Sequence, residues 1–312
     1  MKNNKFYIYS FYRFFDLKEK KNTKTILDLF LSGKFVRGTI LLADEGINGT
    51  ISGEKKVLED IISFIKKELK IRKLNFKINQ NSFLPFSRIK VRLKKEIVSL
   101  GKGDLKIDKQ NAQFVSPADW NKVVSNKKTI VIDVRNQFEI DIGKFKNSLN
   151  PKTDSFRDFP KQLEKMKINK DAKIAMYCTG GIRCEKASVF MKIHGYKNIV
   201  QLDGGIINYL DYKKKHKSVS IWKGECFVFD NRVSVNKNLE RGKYEQCHGC
   251  RQPLTKQETR LKSYKKGISC KYCYNKRTLE QKRRSEMRQS QINKAESKRA
   301  NHPFKRIQRM YT

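Results

Sequence analysis

No apolar run in this 312-residue chain reaches the length needed to span a membrane. The aromatic stretch from Phe6 to Phe15 is interrupted by Arg13 and lacks a small-residue cleavage site, so it does not read as a secretory signal. These absences point to the reducing cytoplasm, where seven cysteines are better explained by metal binding or chemistry than by a disulfide framework. Histidine is also scarce. The four residues, His194, His216, His248 and His302, are not spaced with a carboxylate as a 2-His-1-carboxylate iron site requires. No G-x-G-x-x-G follows a strand and opens a helix, which removes a Rossmann-bound flavin or NAD from the expectation, and haem is not expected either. Acidic residues number 31 against 70 Lys and Arg, a formal net charge of +39. Such an imbalance calls for a polyanionic partner, nucleic acid first.

A chain of this length exceeds one ordinary core. Residues 1–110 alternate as strand (Phe6–Tyr9), helix (Thr25–Ser32), strand (Gly38–Ala43), turn (Asp44–Gly49), strand (Thr50–Ser52), helix (Val57–Leu69) and strand (Leu74–Ile78), an α+β pattern of ferredoxin-like order. The segment Arg88–Lys94 then alternates basic and apolar, which sets its cations on one face of a strand. In residues 111–217, Ser116-Pro117 opens a helix. The apolar runs Thr129–Val134, Ile174–Tyr177 and Ile199–Leu202 read as strands of a buried parallel sheet, making this an α/β domain.

The most informative segment is Cys178-Thr179-Gly180-Gly181-Ile182-Arg183, which follows the strand Ile174–Tyr177 and leads into the helical stretch Cys184–Ile193. A cysteine at a strand end often only fills space. Here two glycines allow close backbone approach, N–H groups at a helix start converge on the sulfur, and Arg183 adds a cation, so the thiolate is favoured over the thiol. The carboxyl end of a central strand is also where open α/β sheets place their sites. Cys184 is a candidate auxiliary thiol, and burial statistics for helix cysteines and for Cys226 favour packing.

In residues 218–275, Cys247-His248-Gly249-Cys250 and Cys270-Lys271-Tyr272-Cys273 are separated by 19 residues, inside the spacing window of a zinc site. Four thiolates from Cys247, Cys250, Cys270 and Cys273 would close a tetrahedral structural zinc and leave no open position for catalysis. Residues 276–312 form a basic tail, almost without apolar periodicity, expected to be disordered or a solvated helix until it meets a partner.

Several separated motifs agree in order: Ile132-Asp133-Val134-Arg135-Asn136-Gln137-Phe138-Glu139, Gly143, Asn150-Pro151, the Cys178 loop and Leu202-Asp203-Gly204-Gly205-Ile206. This segment resembles a rhodanese domain, which implies a loop cysteine able to carry a persulfide and a structural ion pair between Arg135 and Glu139. Lys144 stands where many rhodaneses have histidine. Across most of the chain, Ala43–Thr50, Lys90–Val98, Cys178–Ala187, Gly224–Asp230 and the cysteine pairs are similar to rhodanese-containing bacterial tRNA uridine hydroxylases that make 5-hydroxyuridine at the wobble position. That resemblance implies Cys178 as the catalytic residue, molecular oxygen as co-substrate without a recognised redox cofactor, and tRNA, held by its anticodon arm, as partner.

The residues themselves keep several chemistries open. Cys178 thiolate adding to C6 of uridine would build carbanion character at C5 that reacts with oxygen. The same loop serves a sulfurtransferase carrying sulfane sulfur on Cys178. A non-catalytic RNA-binding adapter would keep its function without Cys178. A phosphatase loop is one residue longer than this one, and Arg183 comes too early for it.

Overall fold

The computed structural model describes residues 5–103, 105–107 and 113–297. The first unit contains β1 (Phe6–Phe14), α1 (Lys20–Leu31), β2 (Val36–Ala43), β3 (Gly46–Gly53), α2 (Lys55–Glu68), β4 (Asn75–Asn81) and β5 (Ile89–Leu93). Its sheet runs β4-β1-β3-β2-β5, with β5 added parallel to β2 on an otherwise antiparallel array. The βαββαβ order of the sequence reading is thus realised. In α2, Leu58, Ile61, Ile62 and Ile65 recur at helical spacing and are buried against the sheet. Each fully buried side chain of this size stabilises by roughly 1.5–3 kcal/mol.

The expected turn over Asp44–Gly49 is tighter than its composition indicates. Ala43 pairs with Gly46, so residues 46–49 already belong to β3. A glycine is needed at 49 because a Cβ there would lie 2.6 Å from the Phe11 ring on the neighbouring strand. What reads as turn chemistry is close cross-strand packing.

The second unit contains β6 (Gln113–Val115), α3 (Trp120–Ser125), β7 (Thr129–Asp133), α4 (Gln137–Ile140), β8 (Gly143–Phe145), α5 (Phe159–Lys165), β9 (Lys173–Tyr177), α6 (Ile182–Ile193), β10 (Asn198–Leu202) and α7 (Gly205–Lys215). Strands β6-β10-β9-β7 form a wholly parallel sheet. Helix α6 begins at Ile182 rather than at Cys184, which shortens the Cys178 loop to its first four residues.

Beyond α7, β11 (Trp222–Gly224) pairs with β8, and β12 (Cys226–Phe227) pairs with β13 (Ser234–Val235). Trp222 packs edge-to-face on Phe145 and Tyr177, and Cys226, Val228, Val235 and Leu239 join the same buried cluster as Trp120 and Leu210. The segment therefore continues the core of the parallel-sheet unit, and Cys226 is a packed core thiol.

The last elements are β14 (Glu245–Gln246), β15 (Pro253–Leu254) and α8 (Leu279–Ser297). Part of the basic tail is thus helical: α8 is mostly exposed, and it is tied back through Arg277 to Ser285 Oγ (2.9 Å) and Arg288 to the Gly267 carbonyl (3.2 Å). The rest of that tail lies outside the described residues. Among the described residues, no helix is long and apolar enough to cross a membrane.

The first two units are joined by a polar latch. Lys186 of α6, with 1% of its side chain exposed, donates to Glu45 (2.7 Å), Glu96 (2.5 Å) and the Val98 carbonyl (3.0 Å). Glu45 also accepts from the Ile97 N–H (2.7 Å), and Asn48 donates to the Ile97 carbonyl (2.9 Å). Three of the family-like motifs meet here: Ala43–Thr50, Lys90–Val98 and Cys178–Ala187.

Candidate active site

Strand β9 delivers Cys178 to the carboxyl end of the sheet, and α6 starts four residues later. The Gly181 N–H donates to Cys178 Sγ at 3.1 Å. On the other side of the loop, the first turn of α7 holds its carbonyls: Ile206 N–H donates to the Cys178 carbonyl (2.9 Å) and Ile207 N–H to that of Thr179 (3.1 Å). Gly205 permits this approach, since a Cβ there would lie 2.5 Å from the Cys178 carbonyl oxygen, and its φ is +67°. The Leu202–Ile206 motif is therefore the support of the Cys178 loop.

Burial opposes ionisation of Cys178. Hydrogen bonding from the Cys184 thiol, the Arg183 charge and the N–H groups of Cys184 and Gly181 outweigh it, and the thiol is lowered to about 6. Cys184 is pushed the other way, well above the ordinary thiol value, by burial and by the neighbouring Cys178 sulfur. The pair is thus a thiolate with a thiol donor beside it.

Arg183 does not reach the sulfur as a direct partner. Its guanidinium grips Glu139 in a bidentate pair (2.6 and 2.7 Å) and donates to Thr179 Oγ1 (3.2 Å). The ion pair expected between Arg135 and Glu139 is replaced accordingly. Arg135 folds back two residues onto Asp133 (2.6 and 2.9 Å), and its remaining donors cap the carbonyls of Glu139 (3.1 Å) and Gly143 (2.6 Å). With Arg135 consumed, the buried Glu139 carboxylate is free for Arg183, which reaches it from α6.

Cys178, Thr179, Gly180, Ile182 and Arg183 line a cavity of about 1070 Å³, although Cys178 itself is fully buried in its wall. Gly181 backs the loop as sulfur ligand. The first unit supplies Tyr12, Arg13, Asn48 and Lys77 to the same cavity, and the segment after β12 supplies Phe229, Asp230 and Arg232. Tyr12 donates to Glu185 Oε1 at 2.6 Å. Burial raises the Glu185 carboxyl, the Tyr12 hydrogen bond partly offsets this, and the Cys178 charge raises it further. Burial lowers the Lys77 ammonium, with Asp203 and Asp211 acting against it.

Sequence reasoning missed Tyr12, Glu185, Phe229, Asp230 and Arg232 as site residues. Glu185, Phe229 and Asp230 lie inside quoted motifs, and Arg232 lies two positions past one. Tyr12 carries no local signal, because its partner is 173 positions away.

The four cysteines of the C-terminal pairs come together, with all Sγ atoms within 4.8 Å of one another. Cys247–Cys273, Cys250–Cys270 and Cys270–Cys273 sulfurs are 3.9, 3.6 and 3.9 Å apart. Four ligands at the ordinary Zn–S distance define a tetrahedron with edges of about 3.8 Å. The residues fit the ion. His248 is outside the cluster.

Residues 6–97 match the UPF0176 acylphosphatase-like domain family and residues 116–211 the rhodanese-like domain family. Two solved structures are similar over part of the chain. A rhodanese-related protein from Thermoplasma volcanium is 27% identical, covering 32% of this chain and 92% of its own, with a TM-score of 0.27. A rhodanese-like domain protein from Staphylococcus aureus is 22% identical, covering 31% and 90%, with a TM-score of 0.27. A protein of Pelagibacter ubique (strain HTCC1062) described as tRNA uridine(34) hydroxylase is 45% identical over 302 residues, 96% of this chain and 99% of that one. With that identity sustained from the first unit through the cysteine cluster, the chain belongs to the tRNA uridine(34) hydroxylase family.

Proposed function

We propose that this chain is a cytoplasmic oxidoreductase that hydroxylates the wobble uridine of tRNA to 5-hydroxyuridine, with Cys178 as the essential thiolate. The observation that carries the reading is a cysteine lowered to about 6 in the wall of a cavity of about 1070 Å³, in a chain of this family. The cavity accommodates a nucleotide turned out of its loop, as enzymes acting on a base require.

Molecular oxygen is the co-substrate. One oxygen atom is placed on C5 and the other leaves as water, which takes two electrons and two protons from a reductant. Cys178 thiolate adds to C6 and moves an electron pair toward C5, where oxygen reacts, and loss of the C5 proton with departure of the thiolate restores the C5–C6 double bond. The loop N–H groups and Arg183 hold the sulfur anionic before addition and after release. Thr179, Gly180, Gly181, Ile182 and Arg183 form the active-site loop. Cys184 is the auxiliary thiol that donates a hydrogen bond to Cys178, and Glu185 is placed to exchange a proton with substrate. Basic surfaces, including α8, hold the anticodon arm by phosphate contacts.

RNA carrying a 5-halogenated uridine is expected to form a covalent adduct on Cys178, located by mass spectrometry of the digested protein. Yield should rise as pH climbs through about 6, because only the ionised sulfur adds. An adduct rising near 9, the ordinary thiol value, or its absence at every pH, would remove the thiolate addition.

We further propose the modular division at 1–110, 111–217, 218–275 and 276–312, in which the stretch up to Leu239 of the third part packs on the parallel-sheet core and the remainder is zinc-ribbon-like, with Cys247, Cys250, Cys270 and Cys273 binding structural zinc. Metal analysis of the purified chain is expected to give one zinc per molecule, lost in Cys247→Ser/Cys270→Ser with selective unfolding of the C-terminal part. A full-length chain purified without chelator that holds no zinc and keeps that part folded would exclude the site.

A further inference from the structure

The chain uses one local device twice. Asp133-Val134-Arg135 and Asp230-Asn231-Arg232 each fold arginine onto an aspartate two residues earlier, with Nε to Oδ1 at 2.9 Å and Nη2 to Oδ2 at 2.6 Å in both. The two differ in what remains. Arg135 spends its remaining reach on two backbone carbonyls and is structural. Arg232, 3% exposed, has an Nη1 with no hydrogen-bond partner among the described residues, and Arg232 lines the cavity that Cys178 lines. A buried, unpaired guanidinium donor is costly, and such a group in a binding cavity is satisfied by ligand.

Phe229 stands three residues before it and is 64% exposed in the same cavity. One side of its ring meets the Arg183 guanidinium at 5.8 Å, and Phe227 packs against it edge-on at 5.1 Å. The segment is fixed from the far side, where Asn231 N–H donates to the Pro85 carbonyl (2.9 Å) of the first unit. An exposed aromatic held rigid beside a reactive cysteine is a stacking platform.

We infer that Phe229 and Arg232 form the nucleobase subsite of the Cys178 cavity, with Phe229 stacking on the target pyrimidine and Arg232 Nη1 donating to one of its carbonyl oxygens. This assignment rests on the hydroxylase reading and adds its base-recognition residues. A base is favoured over a phosphate for two reasons. The Arg232 charge is already offset by bidentate Asp230, so the group presents a directed donor rather than a free cation, and the adjacent surface is a flat π-face.

The test uses the full chain and anticodon stem-loop RNAs with either uridine or an abasic site at the target position. The intact chain should bind the uridine RNA about tenfold to a hundredfold tighter. Phe229→Ala and Arg232→Lys should each remove most of that preference, whereas Phe229→Trp should keep it and Phe229→Leu should not. Because Phe229 is exposed, its variants leave the fold intact, and a thermal-unfolding control accompanies Arg232→Lys. Salt dependence should be unchanged, since no phosphate contact is lost. Equal binding of both RNAs by the intact chain, or full preference in Phe229→Ala and Arg232→Lys, would overturn the subsite. So would an Arg232→Gln salt slope shallower by about 0.7, because loss of the charge then removes a phosphate contact. An intact chain that does not distinguish the anticodon loop from an unrelated hairpin fails the hydroxylase reading itself.

Discussion

Lys186→Met is expected to uncouple the first unit from the parallel-sheet unit and to lower the stability of the joined structure by about 3 kcal/mol. Methionine keeps an unbranched side chain one atom shorter and removes all three hydrogen bonds, leaving Glu45 and Glu96 facing an apolar thioether. Breaking one partner of a buried pair generally costs more than the pair contributes, because the remaining charge stays desolvated. The lower end of that range applies, since Glu45 keeps 21% and Glu96 14% of their side-chain surface. Thermal unfolding should show a fall of about 6–12 °C, or a split transition as the units part. Activity should fall with it, because Tyr12, Asn48 and Lys77 reach the cavity only while the units are docked. Lys186→Arg should lose much less. An unchanged midpoint in Lys186→Met would show that apolar packing alone holds the units together.

The latch also carries a pH dependence. Burial pushes Glu96 up, and the hydrogen bonds from Lys186, Leu100 N–H and Gly101 N–H outweigh it, so its folded value lies below the ordinary carboxylate range. Its contribution is therefore present above the unfolded carboxylate value and is lost as pH falls through the folded one. Docking should weaken on acidification.

Cys178→Ser is expected to abolish hydroxylation, by at least about a thousandfold, while leaving fold and tRNA affinity in place. The substitution changes one atom in a fully buried position, and the Gly181 N–H that now meets sulfur can meet a hydroxyl. What is lost is the anion. The surroundings lower a thiol to about 6, but a hydroxyl starts so much higher that the same hydrogen bonds and the Arg183 charge leave it protonated. Tight RNA binding without product would place Cys178 in the chemical step and not in recognition.

The order of units and the reactive loop were legible in the sequence because both are local. The basic–apolar alternation of Arg88–Lys94, the continuous apolar runs of the parallel strands and the cysteine–glycine–arginine run are all written in adjacent residues. The fate of each charge was not. Arg135 and Glu139 are four positions apart and resemble a pair, yet Asp133 captures the arginine, and Arg183, 44 positions away from Glu139, takes the carboxylate. Gly46 and Gly49 read as turn and lie in a strand, because the close Arg13 carbonyl and a φ of +134° require the first and the Phe11 ring the second. The composite character of the cavity was hidden for the same reason. Tyr12 meets Glu185, and Asn231 meets Pro85, across separations that no periodicity reports. The quoted motifs flagged Glu45, Glu96 and Lys186 only as a resemblance, and docking gives them a physical role.

Nucleoside mass spectrometry of tRNA from cells lacking this protein, complemented with the intact chain or with Cys178→Ser, tests the thiolate hydroxylase directly. The expected result is loss of 5-hydroxyuridine-derived nucleosides, restored by the intact chain and not by the variant. Hydroxylated nucleosides that persist without the protein, with a thiolated nucleoside lost in their place, would contradict hydroxylation and make Cys178 a carrier of sulfur.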